Sequence, residues 1–223
     1  MFLKLLKKDF YCWSRSKALL VSLLAFSFVL VVVASFAFRQ VGYGELELRS
    51  TTPGILWLLF FFVGVVSLNH SLLFEQRLGA LTGMIFTSID PSKIFLSKCV
   101  ANWISLWVLF VLITLMHALL YGARIGDEIW FLFAIEGIVS IGFVSVGTLL
   151  SSISVVTRGR EILLPVLLFP LLLPLLSAAV FLTRTVLLEN MLDTESFWFV
   201  LILAYDVIAV VLGWVLFPYI LVD

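Results

Sequence analysis

Long uninterrupted apolar runs constrain this chain more than any other feature. A helix that crosses a bilayer needs roughly 20 mostly apolar residues. Six segments meet that requirement, at about 18–38, 54–73, 100–121, 129–153, 162–182 and 197–221. They are apolar on nearly all sides, whereas the strands of a membrane barrel alternate polar and apolar over short stretches. Of 223 residues, 63% are hydrophobic and 13% charged, against roughly half and about a quarter in a soluble domain. That excess excludes an ordinary cytoplasmic enzyme, a disordered protein and a nucleic-acid binder. The chain reads as an all-α polytopic membrane protein, one transmembrane domain of six helices embedded in lipid.

Net charge is zero, with 14 Lys and Arg against 14 Asp and Glu, so the information lies in where the charges fall. Lys and Arg gather in cytoplasmic loops. Lys4, Lys7, Lys8, Arg15, Lys17, Arg77, Lys93, Lys98, Arg158 and Arg160 fall on one side, and Arg39, Arg49, Arg124 and Arg184 on the other. Ten against four places both termini in the cytoplasm. Cys12 and Cys99 are the two cysteines. Both lie near the reducing side, where a structural disulfide does not persist, so two unpaired thiols are expected. The basic stretch before the first span is long, and the apolar run after it exceeds the 7–15 residues of a signal-peptide core. The N-terminus is therefore read as part of the mature protein.

Two segments do not span. In residues 1–17, Phe2, Leu3, Leu6, Phe10 and Trp13 recur at helical spacing, with lysines on the remaining surface. This pattern suits an amphipathic helix lying in the headgroup layer of anionic lipid; a plain basic flank carries the same lysines. Residues 74–99 form the longest cytoplasmic connection. They open on Glu75, Gln76 and Arg77, and Gly79 permits a turn. Leu81, Met84, Ile85 and Ile89 follow with the periodicity of a short amphipathic helix. Asp90-Pro91-Ser92 is expected to end it, with Ser92 capping a new helix near Lys93. Such a charged elbow, surface helix and proline stop could transmit force from a soluble partner, or be an ordinary re-entry loop.

Ionisable residues inside spans are costly and mark candidate sites. His117, Glu136 and Asp206 lie roughly 6, 10 and 14 Å below the outer surface at 1.5 Å per residue. They form a candidate polar pocket opening outward. For His117, reaching back to the headgroups is the favoured reading, and ligation of a metal centre by this lone histidine is disfavoured. Pro165, Pro170 and Pro174 crowd the fifth span and are expected to kink it. Gly142, Ser145, Gly147 and Ser151 favour close helix contact, between copies of the chain or within it. Trp57, Trp103, Trp107, Trp130 and Trp198 sit near span ends, as an aromatic belt requires. The sequence holds no G-x-x-x-x-G-K-[ST] loop, so any ATP hydrolysis comes from another subunit. With no H-E-x-x-H, G-x-S-x-G or CxxC either, no catalytic residue and no metal site are expected.

Several blocks resemble the haem exporter protein B family. Thr52-Pro53-Gly54-Ile55-Leu56-Trp57 is similar to that family's "APGIIW" start of the second span. Glu75, Gly79, Pro91, Lys98 and Asn102-Trp103 follow the order of its cytoplasmic loop and third span. Arg158-Gly159, Leu163-Leu164-Pro165 and the run from Phe169 to Leu176 resemble its glycine-punctuated loop and Pro-rich fifth span. The first and last spans, rich in Phe, depart from the pattern. The resemblance implies an ABC-2-type permease in a bacterial inner membrane, acting in cytochrome c maturation with haem as substrate of the complex and no covalent cofactor. It implies a cytoplasmic ATP-binding-cassette ATPase, further maturation membrane proteins, a periplasmic haem chaperone, and a homodimeric or heteromeric permease pair. It also assigns ATPase coupling to Glu75, Gly79, Leu81, Met84, Ile85, Ile89 and Pro91. The alternatives are a related permease for a lipid, polysaccharide or drug, and a non-transporting membrane scaffold.

Overall fold

The computed structural model describes residues 6, 17–40, 45–77, 90–121, 128–154, 160–189 and 191–222. They form six helices: α1 Lys17–Gln40, α2 Glu45–Arg77, α3 Pro91–Tyr121, α4 Glu128–Ser154, α5 Arg160–Glu189 and α6 Phe197–Val222. Five of these contain stretches long and apolar enough to cross a bilayer: Ser50–Asn69, Pro91–Leu119, Ile129–Ser152, Leu164–Glu189 and Phe197–Ile220. In α1 the described apolar stretch is the shorter Val21–Ala34. The interfacial helix expected over 1–17 falls almost wholly outside the described residues.

The helices overrun the apolar segments. α2 begins at Glu45 and α5 continues to Glu189, so much of what reads as outer loop, 39–53 and 183–196, is helical. Polar residues end the apolar run, but they do not end a helix. Glu, Leu and Arg at 45–49 are good helix formers, and the i→i−4 bonds continue into the headgroup layer.

The start of α3 differs from expectation in a specific way. Asp90, rather than Ser92, is the cap. Its Oδ1 accepts the Ser92 N–H at 3.0 Å, and its carbonyl accepts the Lys93 N–H at 3.0 Å. Pro91 is then the first residue of the helix, where its missing N–H and fixed φ cost nothing. Lys98, read as part of the loop, is therefore inside α3, and it is buried. At the opposite end of the bundle Ser196 caps α6, accepting the Phe199 N–H at 3.3 Å.

α4 is the central element, packed against α2, α3, α5 and α6, while α1 lies outside on α2 and α3. Its small residues make this possible. A Cβ on Gly142 would fall 2.3 Å from Asp206 Oδ1 and 3.0 Å from the Tyr205 ring on α6. A Cβ on Gly147 would fall 2.3 Å from Leu68 of α2. The Gly142, Ser145, Gly147 and Ser151 group is thus used within the chain. The serine hydroxyls turn back onto their own helix: Ser145 donates to the Ile141 carbonyl at 2.7 Å and Ser151 to that of Thr148 at 3.0 Å. In hydrocarbon, such internal partners replace water.

Aromatic rings fill the space around α4. Phe60 of α2 stacks on Phe110 of α3 with centroids 4.3 Å apart. Phe143 of α4 meets Phe61 and Phe110 edge-on, at 6.4 Å each. Three tryptophans expected in a lipid-facing belt instead join helices. Trp57 donates to Thr183 Oγ1 at 2.9 Å, and Trp103 and Trp107 donate to the carbonyls of Gly137 and Phe133 at 2.8 and 3.0 Å. An indole N–H needs an acceptor when buried, and the facing helix supplies one. Trp130 is 72% exposed, as a belt residue should be.

Substitution separates packing glycines from incidental ones. Gly142→Leu is expected to destabilise the protein by about 1–3 kcal/mol through overpacking. Gly54→Ala, where an added Cβ meets nothing within 4 Å, should stay within about 0.5 kcal/mol. Thermal unfolding of both variants in detergent gives the comparison.

Candidate functional site

The three ionisable residues singled out within the spans are enclosed. His117 of α3, Glu136 of α4 and Asp206 of α6 are 4%, 3% and 6% exposed. His117 is therefore not at the headgroups: the face of α3 that carries it and Thr114 is turned into the bundle. The Thr114 hydroxyl donates to Glu136 Oε1 and joins α3 to α4. Glu136 Oε2 has no hydrogen-bond partner among the described residues, and neither oxygen of Asp206 has one. Asp206 lies over the bare backbone at Gly142, beside Leu175 of α5.

Glu136 and Asp206 occupy two separate positions. Glu136 and Gly142, the seat of Asp206, are six residues apart on α4, which is roughly 9 Å along the axis and about 120° around it. Glu136 belongs to the α3–α4 joint and Asp206 to the α4–α5–α6 joint. A carboxyl group in low dielectric is expensive without partners, so both positions carry a cost that the surrounding apolar packing must offset.

The prolines form the second part of the site. α5 runs as one helix through Pro165, Pro170 and Pro174, and α6 through Pro218. Pro170 and Pro174 are exposed and Pro165 is half-buried. Each proline removes the N–H that would serve the carbonyl four residues earlier. Two neighbouring hydroxyls reach the loosened backbone. Tyr205 of α6 donates to the Leu171 carbonyl at 2.9 Å, one turn before Pro174. Ser92 of α3 donates to the Trp214 carbonyl at 3.3 Å, and Trp214 lies four residues before Pro218. Neither pairing is readable from sequence. A proline inside a span announces a freed carbonyl, but not the side chain that meets it.

Of the loop residues, Pro91 opens α3, and Glu75 lies in α2 with its side chain outside the described residues. Gly79, Leu81, Met84, Ile85 and Ile89 lie outside the described residues. In the half of the α3–α4 joint nearer the start of α3, Asn102 Nδ2 donates to Thr148 Oγ1 at 3.4 Å, next to the buried Cys99. Between α2 and α5 an open groove of about 270 Å³ is walled by Trp57, Leu58, Phe61, Phe169, Val180 and Phe181. Among the described residues, no three His, Cys, Asp or Glu side chains converge on a point.

A helical bundle with five helices long and apolar enough to cross a bilayer, and with polar groups shut inside its joints, is that of a multi-pass membrane protein. The sequence matches the CcmB protein family over residues 1–220 of 223, and the chain belongs to that family. The family is a membrane component of the haem exporter in cytochrome c maturation, a permease component and not the catalytic ATPase. Comparison with curated proteins returns no match.

The α3–α4 tie is measurable. Thr114→Val should cost about 1–3 kcal/mol, the penalty for stranding a buried partner, while Thr114→Ser keeps the bond. In a double-mutant cycle with Glu136→Leu, the expected coupling is about 0.6–1.7 kcal/mol, the range for hydrogen bonds between membrane helices. Unfolding of the four proteins in detergent checks it, and zero coupling would deny the bond.

Proposed function

We propose that this chain is the ABC-2-type permease subunit through which ATP hydrolysis by a separate cytoplasmic subunit drives haem delivery or release at the periplasmic face. Membership of the CcmB protein family over nearly the whole chain is the observation that carries this reading. Two features of the chain support it. It holds no phosphate-binding loop, so the energy must arrive from another protein. Its positive charge is concentrated in residues 1–17 and 74–99, which supports a cytoplasmic side for both segments and both termini, in what we take to be a bacterial inner membrane.

In this reading the chain crosses the membrane six times, with α1 as the first span. Residues 74–99 are the contact for the ATPase. Glu75 and Gly79 set the elbow, Leu81, Met84, Ile85 and Ile89 form the apolar face that docks, and Pro91 opens the helix that receives the push. Residues 1–17 lie along the inner leaflet. The remaining partners are further maturation membrane proteins, one of which completes a permease pair with this chain or a second copy of it, and a periplasmic haem chaperone. Glu136, Asp206 and His117 supply the polar positions within the bundle, and the three prolines let α5 bend beside the path.

Isolation of the intact complex in detergent tests the proposal. The wild-type chain should co-isolate with an ATPase. Deleting residues 81–89 should abolish that association and mature cytochrome c, while the chain still accumulates in the membrane. An unchanged complex after the deletion would remove the loop from the coupling role.

A further inference from the structure

Three contacts lock the start of α3 to the far half of α6, and all involve the last turns before Pro218. The Ser92 hydroxyl donates to the Trp214 carbonyl at 3.3 Å. Pro218 has no N–H, so this is the carbonyl that α6 itself leaves without its helical donor. One turn along α3, the Phe95 ring occupies the notch at Gly213, where an added Cβ would fall 2.1 Å from the ring. The same ring lies 5.4 Å from that of Phe217. Phe95 and Phe217 are both fully buried. The residues that do this, Ser92 and Phe95, are the first ones the chain reaches after the 78–89 segment and the Asp90 cap.

From this lock α6 runs as an unbroken helix to Tyr205, nine residues and roughly 13 Å away. There Tyr205 donates to the Leu171 carbonyl at 2.9 Å, within the stretch of α5 that Pro170 and Pro174 have loosened. The adjacent Asp206 is seated on Gly142 of α4. One helix thus carries a proline-exposed carbonyl gripped by the loop exit at one end and a hydroxyl gripping a proline-loosened helix further along.

We infer that Ser92 is a positioning residue for the transport step: it holds α6 to the exit of the cytoplasmic loop, so that movement of that exit is passed along α6 to Tyr205 and the bend of α5. The inference rests on the coupling role proposed above for residues 74–99. Backbone repair and the fixing of α6 to α3 are separate consequences of this contact: another donor to the Trp214 carbonyl would supply the first but not the second.

The test uses the intact complex and three variants. Ser92→Ala removes the hydroxyl. Ser92→Thr restores it. Ser92→Ala/Pro218→Ala removes it but returns a backbone donor to the Trp214 carbonyl, so that any loss of folding caused by a bare carbonyl is repaired. The readout is mature cytochrome c formed in cells relative to ATP hydrolysed by the isolated complex. Ser92→Ala and the double variant should assemble and hydrolyse ATP like the wild type, with that ratio reduced roughly 2- to 30-fold, the range of measured coupling effects. Ser92→Thr should keep it. Tyr205→Phe, at the other end of the lever, should behave as Ser92→Ala does. A double variant with the wild-type ratio would overturn the inference and leave Ser92 as a backbone repair. A wild-type complex with no ATP-hydrolysing subunit would end the coupling proposal itself and this inference with it, and the wild-type control alone separates that outcome from the first.

Discussion

Hydrocarbon offers no hydrogen bonds, and the fold of this protein follows from meeting that constraint within the chain. Six helices satisfy most of the backbone by construction. The exceptions include the carbonyls four residues before Pro53, Pro165, Pro170, Pro174 and Pro218. At one of these breaks the remedy is visible, the Ser92 hydroxyl on the Trp214 carbonyl of α6, and the Tyr205 hydroxyl reaches the Leu171 carbonyl between two prolines of α5. The same rule places the tryptophans. Trp103 and Trp107 lie over α4 and donate to its carbonyls, because an indole N–H left against lipid would be stranded. Polar groups therefore act as the ties between helices, which apolar surface cannot do. Lipid tails and leucine side chains are equally apolar, and burying one against the other yields no hydrophobic drive.

The central position of α4 has the same origin. A helix that must touch four others needs a thin surface, and Gly142 and Gly147 allow backbones and side chains to approach where any larger residue would collide. Its serines carry hydroxyls that can be satisfied by their own helix, so they add no unmet donor to the joint. Glu136 and Asp206 are placed on this scaffold at different depths, one bonded to Thr114 and one seated on glycine. The scaffold thus separates them, although both stand out in the sequence for the same reason.

The helical segments were readable in the sequence because they follow from how many apolar residues occur in a row; six spans were expected, and five of the six described helices carry a stretch long and apolar enough to cross a bilayer. The direction each side chain faces was not. An amphipathic helix reveals its buried face through periodicity, but these spans are apolar all round. Glu136 and Asp206 were visible as charges in apolar surroundings, and Gly142 as a site of close helix contact, but nothing in the sequence paired Thr114 with Glu136 or Gly142 with Asp206. Trp57 and Trp103 near span ends read as belt residues because position along the helix was legible and rotation about it was not. The beginning of α3 was misassigned for another reason. Asp-Pro-Ser offers two possible caps, and the choice of Asp90 depends on which oxygen reaches the Ser92 N–H. The family blocks, by contrast, were legible as short polar and proline-containing motifs, and the family match over 1–220 includes them.

These considerations bear most on α6. Its span has 22% of its residues buried, against 61% in α2, and Val200, Val207, Ile208, Val211, Trp214 and Tyr219 all face outward. Sliding such a helix exchanges one apolar lipid neighbour for another at small cost, so its exposed face does little to determine where it sits. Its position is instead set by a few specific contacts: Asp206 over Gly142, the Tyr205 hydroxyl on α5, and the Ser92 and Phe95 grip on its final turns. A helix with little burial and a few directional ties has few intermediate resting places. It holds one register or, if the ties at one end are drawn, moves as a unit towards another. Under the coupling role proposed for this chain, that property makes α6, with its proline-free stretch from Phe197 to Phe217, better suited to carry a displacement than the more enclosed helices around it.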